Sequence, residues 1–180
     1  MGAPNPVLIL TGPPGVGKTT VAALLSRRFD PGVHLESDAF FHFITAGYVE
    51  PWRPESREQN DLVMRTAGLA AASYAAAGYF TVIDGIVIPR WYLGTLRKIL
   101  RASELEVSYA VLQAPLELCL ERVDDREGGP LLDPAVLETV WAEFADLGEY
   151  ESHAIAVEDR SPEEVADLLG RRLGGGELSL

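Results

Sequence analysis

Cysteine is almost absent. Cys119 is the only one in 180 residues, which excludes an intramolecular disulfide and a zinc-type thiolate cluster and predicts a reducing, cytoplasmic setting. The apolar helical pattern around it makes Cys119 a packing residue. Positive charge is scarce too: 15 Lys+Arg stand against 27 Asp+Glu, a formal charge of −12. Nucleic-acid phosphates and anionic membrane surfaces need a basic footprint, so neither is an expected partner. No apolar run approaches the roughly 18 residues of a membrane helix. The start Val7-Leu8-Ile9-Leu10 lacks the basic flank and length of a signal peptide, and Pro6 spoils Met1-Gly2 as a myristoylation signal. Repeats and heptads are missing as well. What remains, 47 % hydrophobic and 23 % charged, is the composition of one globular domain over residues 1–180, a monomer or homodimer.

Short apolar runs alternate with stretches of helical period, the pattern of an α/β protein with a parallel sheet covered by helices. The runs Val7 to Leu10, Val33 to Glu36, Tyr79 to Ile83, Val107 to Leu112 and His153 to Val157 read as buried strands. After Lys18, the residues Val21, Leu24, Leu25 and Phe29 fall on one helical face. Pro54 to Ala77 predicts a long helix with Gly78 past its end, Leu62, Thr66, Leu69 and Ser73 on one side, and alanines for close packing. Ser161-Pro162-Glu163-Glu164 is a capping box before a final helix, after which residues 174–180 read as a loose tail. The polar, breaker-rich stretch over 126–133 is a candidate lid.

Chemistry is concentrated in a few places. Gly12-Pro13-Pro14-Gly15-Val16-Gly17-Lys18-Thr19 fits Gly, four residues, Gly-Lys-Ser/Thr, and sits between an apolar strand and an amphipathic helix. Glycines there let backbone N–H groups and the helix start face phosphates, Lys18 adds a charge toward the β and γ phosphates, and Thr19 can ligate magnesium. Asp38 follows the second strand, where a carboxylate can accept the proton of an attacking hydroxyl; the alternative is an N-cap for a helix from Ala39. Asp84 ends the third strand, either as a magnesium or substrate contact or as the start of a turn with Gly85.

Arg122 and Arg126 lie four apart on one helical face running into the candidate lid, either to reach the transferring phosphoryl group or to balance nearby acids. Phe40, Phe41, Phe43, Tyr48 and Trp52, with Arg53, Arg57, Gln59 and Asn60 behind them, describe either a small-molecule site or a packed aromatic face. His42 is a candidate for lining that site, Arg90 for an extra clamp or an ordinary surface residue. His34, His42 and His153 have no metal-like spacing. Between Asp30 and Asp84 only Arg53, Arg57 and Arg65 oppose eight acidic residues, which disfavours a highly phosphorylated acceptor.

Together with Thr20, Ser37-Asp38, Val82-Ile83-Asp84-Gly85, Leu120-Glu121-Arg122 and Asp159-Arg160-Ser161-Pro162, these motifs resemble the small P-loop kinases across nearly the whole chain. That superfamily includes adenylate, cytidylate, shikimate and gluconate kinases and chloramphenicol phosphotransferases. Glu50-Pro51-Trp52 and Gln59-Asn60 resemble a subgroup of AAA-type ATPases or kinases. The resemblance implies a three-layer P-loop NTPase fold with a five-stranded parallel sheet of order 2-3-1-4-5 and a short arginine-bearing lid. It implies nucleotide binding by residues 12–20, Arg122 and Arg160, with a base-binding loop around Val157 to Pro162, and Asp38 at the base position. ATP or GTP with Mg2+ is the expected cofactor. The sequence departs from nucleoside monophosphate kinases in its sparse arginines, and it carries neither a shikimate-kinase acceptor pattern nor the aspartate pair expected for gluconate. The expected activity is γ-phosphoryl transfer to a hydroxyl of a small, largely uncharged molecule such as an antibiotic or other natural product. A cytidylate-like nucleoside or nucleotide kinase and a nucleotide-dependent switch without an acceptor are the alternatives.

Overall fold

The computed structural model describes residues 7–124 and 133–180. Five strands, β1 (Val7–Thr11), β2 (Gly32–Glu36), β3 (Phe80–Asp84), β4 (Val107–Gln113) and β5 (Ala154–Ala156), form one parallel sheet in the order β2-β3-β1-β4-β5. The order is the one the resemblance implies and each strand lies within one residue of its predicted run, but β2, at the edge of the sheet, is exposed to half-buried and not the buried strand expected. Among the described residues six α-helices cover the sheet: α1 (Lys18–Ser26), α2 (Arg57–Ala76), α3 (Gly94–Ala102), α4 (Leu116–Asp124), α5 (Pro134–Ala142) and α6 (Pro162–Gly174).

Strand alternation sends side chains to two cores. Leu8, Leu10, Val82, Ala110 and Leu112 face the core shared with α1, α4 and α6. Val7, Ile9, Ile83, Tyr109 and Val111 face the one shared with α2 and α3. Central strands buried on both faces need apolar residues at every position, which is why these read as unbroken hydrophobic runs.

The long helix buries a different side from its leucines. A 3₁₀ turn, Pro54–Ser56, precedes α2, and the buried stripe is Val63, Met64, Ala67, Gly68, Ala71, Ala72 and Ala75, while Leu62 and Leu69 are exposed. Close approach to α3 explains this: a β-carbon on Gly68 would stand 3.0 Å from Leu96 Cδ2, so only small residues fit. Phe29 lies beyond α1 and stacks on Phe80 with ring centroids 3.7 Å apart. His153 closes a 3₁₀ turn before β5, its ring nitrogen 2.8 Å from the Tyr109 carbonyl oxygen. Cys119 is fully buried, and burial raises its thiol pKa against the opposing pull of Lys18 and Arg122. The capping box is present: Glu164 N–H donates to Ser161 Oγ and Ser161 N–H to Glu164 Oε2. Residues 126–132 of the candidate lid, Arg126 among them, lie outside the described residues; Asp133 caps α5 by accepting from Ala135 N–H at 2.9 Å.

The expectation of a loose tail is wrong. Tyr109 N–H donates to the Leu178 carbonyl at 2.8 Å and Leu180 N–H to the Val107 carbonyl at 2.9 Å, with Leu178 fully buried. The reason is an open edge: β5 pairs only with Val111 to Gln113 of β4, and the returning tail covers the first half of that strand. Leu178→Ala should therefore cost about 2–5 kcal/mol in chemical denaturation, as for a core leucine. A loss within the roughly 0.5 kcal/mol of ordinary surface substitutions would contradict that anchoring.

Candidate functional site

Because β1, β2 and β3 run parallel, the loop after β1, Asp38 after β2 and Asp84 at the end of β3 share one edge of the sheet. Ligands of open α/β sheets bind beyond that carboxyl edge. The glycine-rich loop curls there between Thr11 and Lys18, with Gly17 in the left-handed region at φ 100° as the cap of α1. At Gly15, φ 81°, a β-carbon would stand 2.3 Å from the Cys119 carbonyl oxygen, so α4 presses directly on the loop and admits only glycine. Lys18 is half-buried and its Nζ donates to the carbonyls of Gly12 at 2.9 Å and Pro13 at 3.0 Å. Thr19 and Thr20 are exposed on the first turn of α1.

A cavity of about 240 Å³ opens beside this loop. Val16, Gly17, Thr20 and Arg122 line one side, and Val157, Arg160 and Pro162 the other. Arg122 donates a long 3.4 Å hydrogen bond from Nη1 to the Val16 carbonyl, and Arg160 donates to the Ala156 carbonyl. Residues from α1, α4, the loop after β5 and the start of α6 thus meet in one place, the loop being fixed by the capping box.

Asp38 is exposed within a 3₁₀ segment, Ser37–Phe43, whose capping residue is Glu36. It therefore sits in the first turn, and the capping alternative is not what the structure shows. Phe41 is buried, whereas His42, Phe43, Tyr48 and Trp52 are exposed. Burial raises the Tyr48 hydroxyl pKa, with the charges of Glu50 and Asp38 adding to it.

Several polar residues expected to meet substrate are occupied elsewhere. Gln59 brackets Val49, accepting from its N–H at 2.9 Å and donating to its carbonyl at 2.6 Å. Asn60 is buried and donates to the Pro51 carbonyl at 2.8 Å and Ser56 Oγ at 2.9 Å. Both amides thus build the 49–56 loop. Arg53 pairs with Glu50 at 3.0 Å, and Arg90 pairs with Glu143 beside α5. Arg57 is exposed at the start of α2.

Asp84 is 3 % exposed and approaches His34, with Oδ2 and Nε2 3.1 Å apart. Neither atom is aligned for a hydrogen bond with the other. Among the described residues no group of three or more His, Cys, Asp or Glu could hold a metal by itself. A nucleotide-borne magnesium does not require one, since it is bound through phosphates, waters and one or two protein oxygens. Thr19 and the unsatisfied Asp84 Oδ2 suit that demand. Residue patterns place Ser37 after the second strand and His34 within it but give no sign that His34 meets Asp84; the register that pairs β2 with β3 brings those two together. Among the described residues no helix is long and apolar enough to cross a membrane.

A search of curated protein sequences finds no match. Solved structures do match over almost their full lengths. A tunicamycin resistance protein of Deinococcus radiodurans is 24% identical, with 94% of this chain and 96% of that one covered at a TM-score of 0.69. An APS kinase of Mycobacterium tuberculosis, in complex with AMPPNP and APS, is 19% identical, covering 96% and 99% at 0.71. A gluconokinase of Sinorhizobium meliloti is 17% identical, covering 97% and 98% at 0.67. At these identities the likeness establishes the fold alone. The family model described as "AAA domain" matches residues 7–147, from β1 to beyond α5, and the chain belongs to that family.

Proposed function

We propose that the protein is a kinase that moves the γ-phosphoryl group of ATP or GTP onto a hydroxyl of a small, largely uncharged molecule. The observation that carries this reading is that Asp38 is exposed on the same sheet edge as the glycine-rich loop, with Tyr48 near enough to feel its charge and with Phe43 and Trp52 also exposed in the segment that follows. A switch needs no carboxylate of that kind, and a transferase does. In the proposed step the acceptor oxygen attacks the γ phosphorus, the bond to the bridging oxygen breaks, and the acceptor proton passes to Asp38. Lys18, now on the carbonyls of Gly12 and Pro13, turns to the phosphates as they arrive. Backbone N–H groups of residues 12–17 and the start of α1 hold the anion. Thr19 and Asp84 would hold magnesium, which neutralises charge on the phosphates when bound.

The cavity between Arg122 and Arg160 suits a planar base and its ribose, with Thr20 and Pro162 at its walls. On this reading Arg122 serves nucleotide binding at the base side of the loop. Arg160→Ala should weaken ATP binding roughly fivefold, about 1 kcal/mol of cation–π contact; unchanged affinity in calorimetry would remove the base from that cavity.

The acceptor is taken to be uncharged because Arg53 and Arg90 are already paired with Glu50 and Glu143. An acceptor phosphate held by Arg53 or Arg90 would have to break those pairs. An antibiotic or related natural product fits the aromatic surround, and the fold is shared with a tunicamycin resistance protein. The direct test is a mass-spectrometric search for an acceptor that gains a phosphoryl group from ATP or GTP in the presence of the wild type and not of Lys18→Ala.

A further inference from the structure

Only four buried side-chain polar atoms among the described residues lack a hydrogen-bond partner, and three of them, His34 Nε2 within β2, Ser37 Oγ just after it and Asp84 Oδ2 at the end of β3, belong to these two neighbouring strands. Such atoms are costly to leave unsatisfied, and a concentration of them marks a place where something else completes the set. The strand register builds it. Glu36 lies opposite Asp84 and His34 opposite Val82, so His34 and Asp84 share one face of the sheet as diagonal neighbours. Leu10 lies opposite Asp84 on the other side, directly before the phosphate-binding turn. Ser37 is wholly buried and set against Gly85, where a β-carbon would stand 1.9 Å from its hydroxyl.

A side chain 3 % exposed with an oxygen left without a hydrogen-bond partner calls for something to complete it. The side chain the structure sets against Asp84 is His34, its Nε2 3.1 Å from Oδ2 and out of hydrogen-bond alignment, so the lone pairs of Oδ2 remain available. We infer that His34 is a positioning residue: it braces the Asp84 carboxylate at the head of β3 so that the carboxylate can take up the divalent cation accompanying a bound nucleotide. Partners behind a metal-binding carboxylate fix its orientation, and losing one typically costs 10–100-fold in metal affinity. This rests on the nucleotide-binding reading above.

The test measures the affinity of the full chain for a non-hydrolysable ATP analogue by calorimetry, with saturating Mg2+ and with a chelator. In the wild type, Mg2+ should tighten binding. His34→Leu should reduce that gain roughly tenfold or more while leaving the chelator affinity unchanged. His34→Gln, which keeps an N–H donor, should recover most of it, and it carries the test if the leucine variant fails to fold. A gain that is the same in wild type, His34→Leu and His34→Gln would overturn the inference while leaving nucleotide binding intact. A wild-type chain that binds no nucleotide would overturn the nucleotide reading and the inference with it.

Discussion

Lys18→Ala should lower kcat/KM for phosphoryl transfer about 100- to 1,000-fold, roughly 2.7–4 kcal/mol, the scale of losing one preorganised group at a site of developing charge. The loss should appear in kcat as well as in nucleotide affinity, because the ammonium meets more negative charge as the bond to the leaving phosphate opens. Stability should change little. In the absence of nucleotide the side chain donates to two carbonyls of its own loop, Gly12 and Pro13, and it is only half-buried. Thermal unfolding separates the two effects: a large activity loss with a near-native transition supports the role, and unchanged turnover removes it.

Asp38→Asn should have a different signature. The amide keeps the shape but cannot take the acceptor proton, so kcat should fall about 100- to 10,000-fold while the nucleotide Kd stays near wild type. Asp38 is exposed in the first turn of its 3₁₀ segment and asparagine keeps its size and shape, so the substitution should leave the fold alone. Weaker nucleotide binding with intact turnover at saturation would assign Asp38 to the nucleotide and not to the acceptor.

What could be read from the residues follows the range of the interactions involved. The phosphate loop, the strands and the capping box of α6 are local: spacing, flanking strand and glycine pattern suffice, and each appears where the sequence places it. The buried side of α2 was harder, since Leu62 and Leu69 suggest an apolar stripe while the closeness of α3 selects alanine and Gly68 instead. Gln59 and Asn60 looked like substrate ligands because polar side chains behind aromatics suit a pocket. Their amides are instead used on backbone atoms of Val49 and Pro51, partners that spacing does not reveal. Arg90 with Glu143, the tail against β4 and His34 with Asp84 are pairings between distant segments. They depend on strand register and helix packing, and one residue's slip in register would move His34 to the other face.

The measurement that bears most directly on the account incubates the full chain with Mg2+ and ATP or GTP against pooled nucleosides, nucleotides, sugars and antibiotics, and identifies by mass spectrometry any compound that gains a phosphoryl group. The account predicts a neutral hydroxyl compound phosphorylated by the wild type and not by Lys18→Ala or Asp38→Asn. Phosphorylation confined to nucleoside monophosphates, or consumption of the nucleotide with no phosphorylated acceptor, would contradict it.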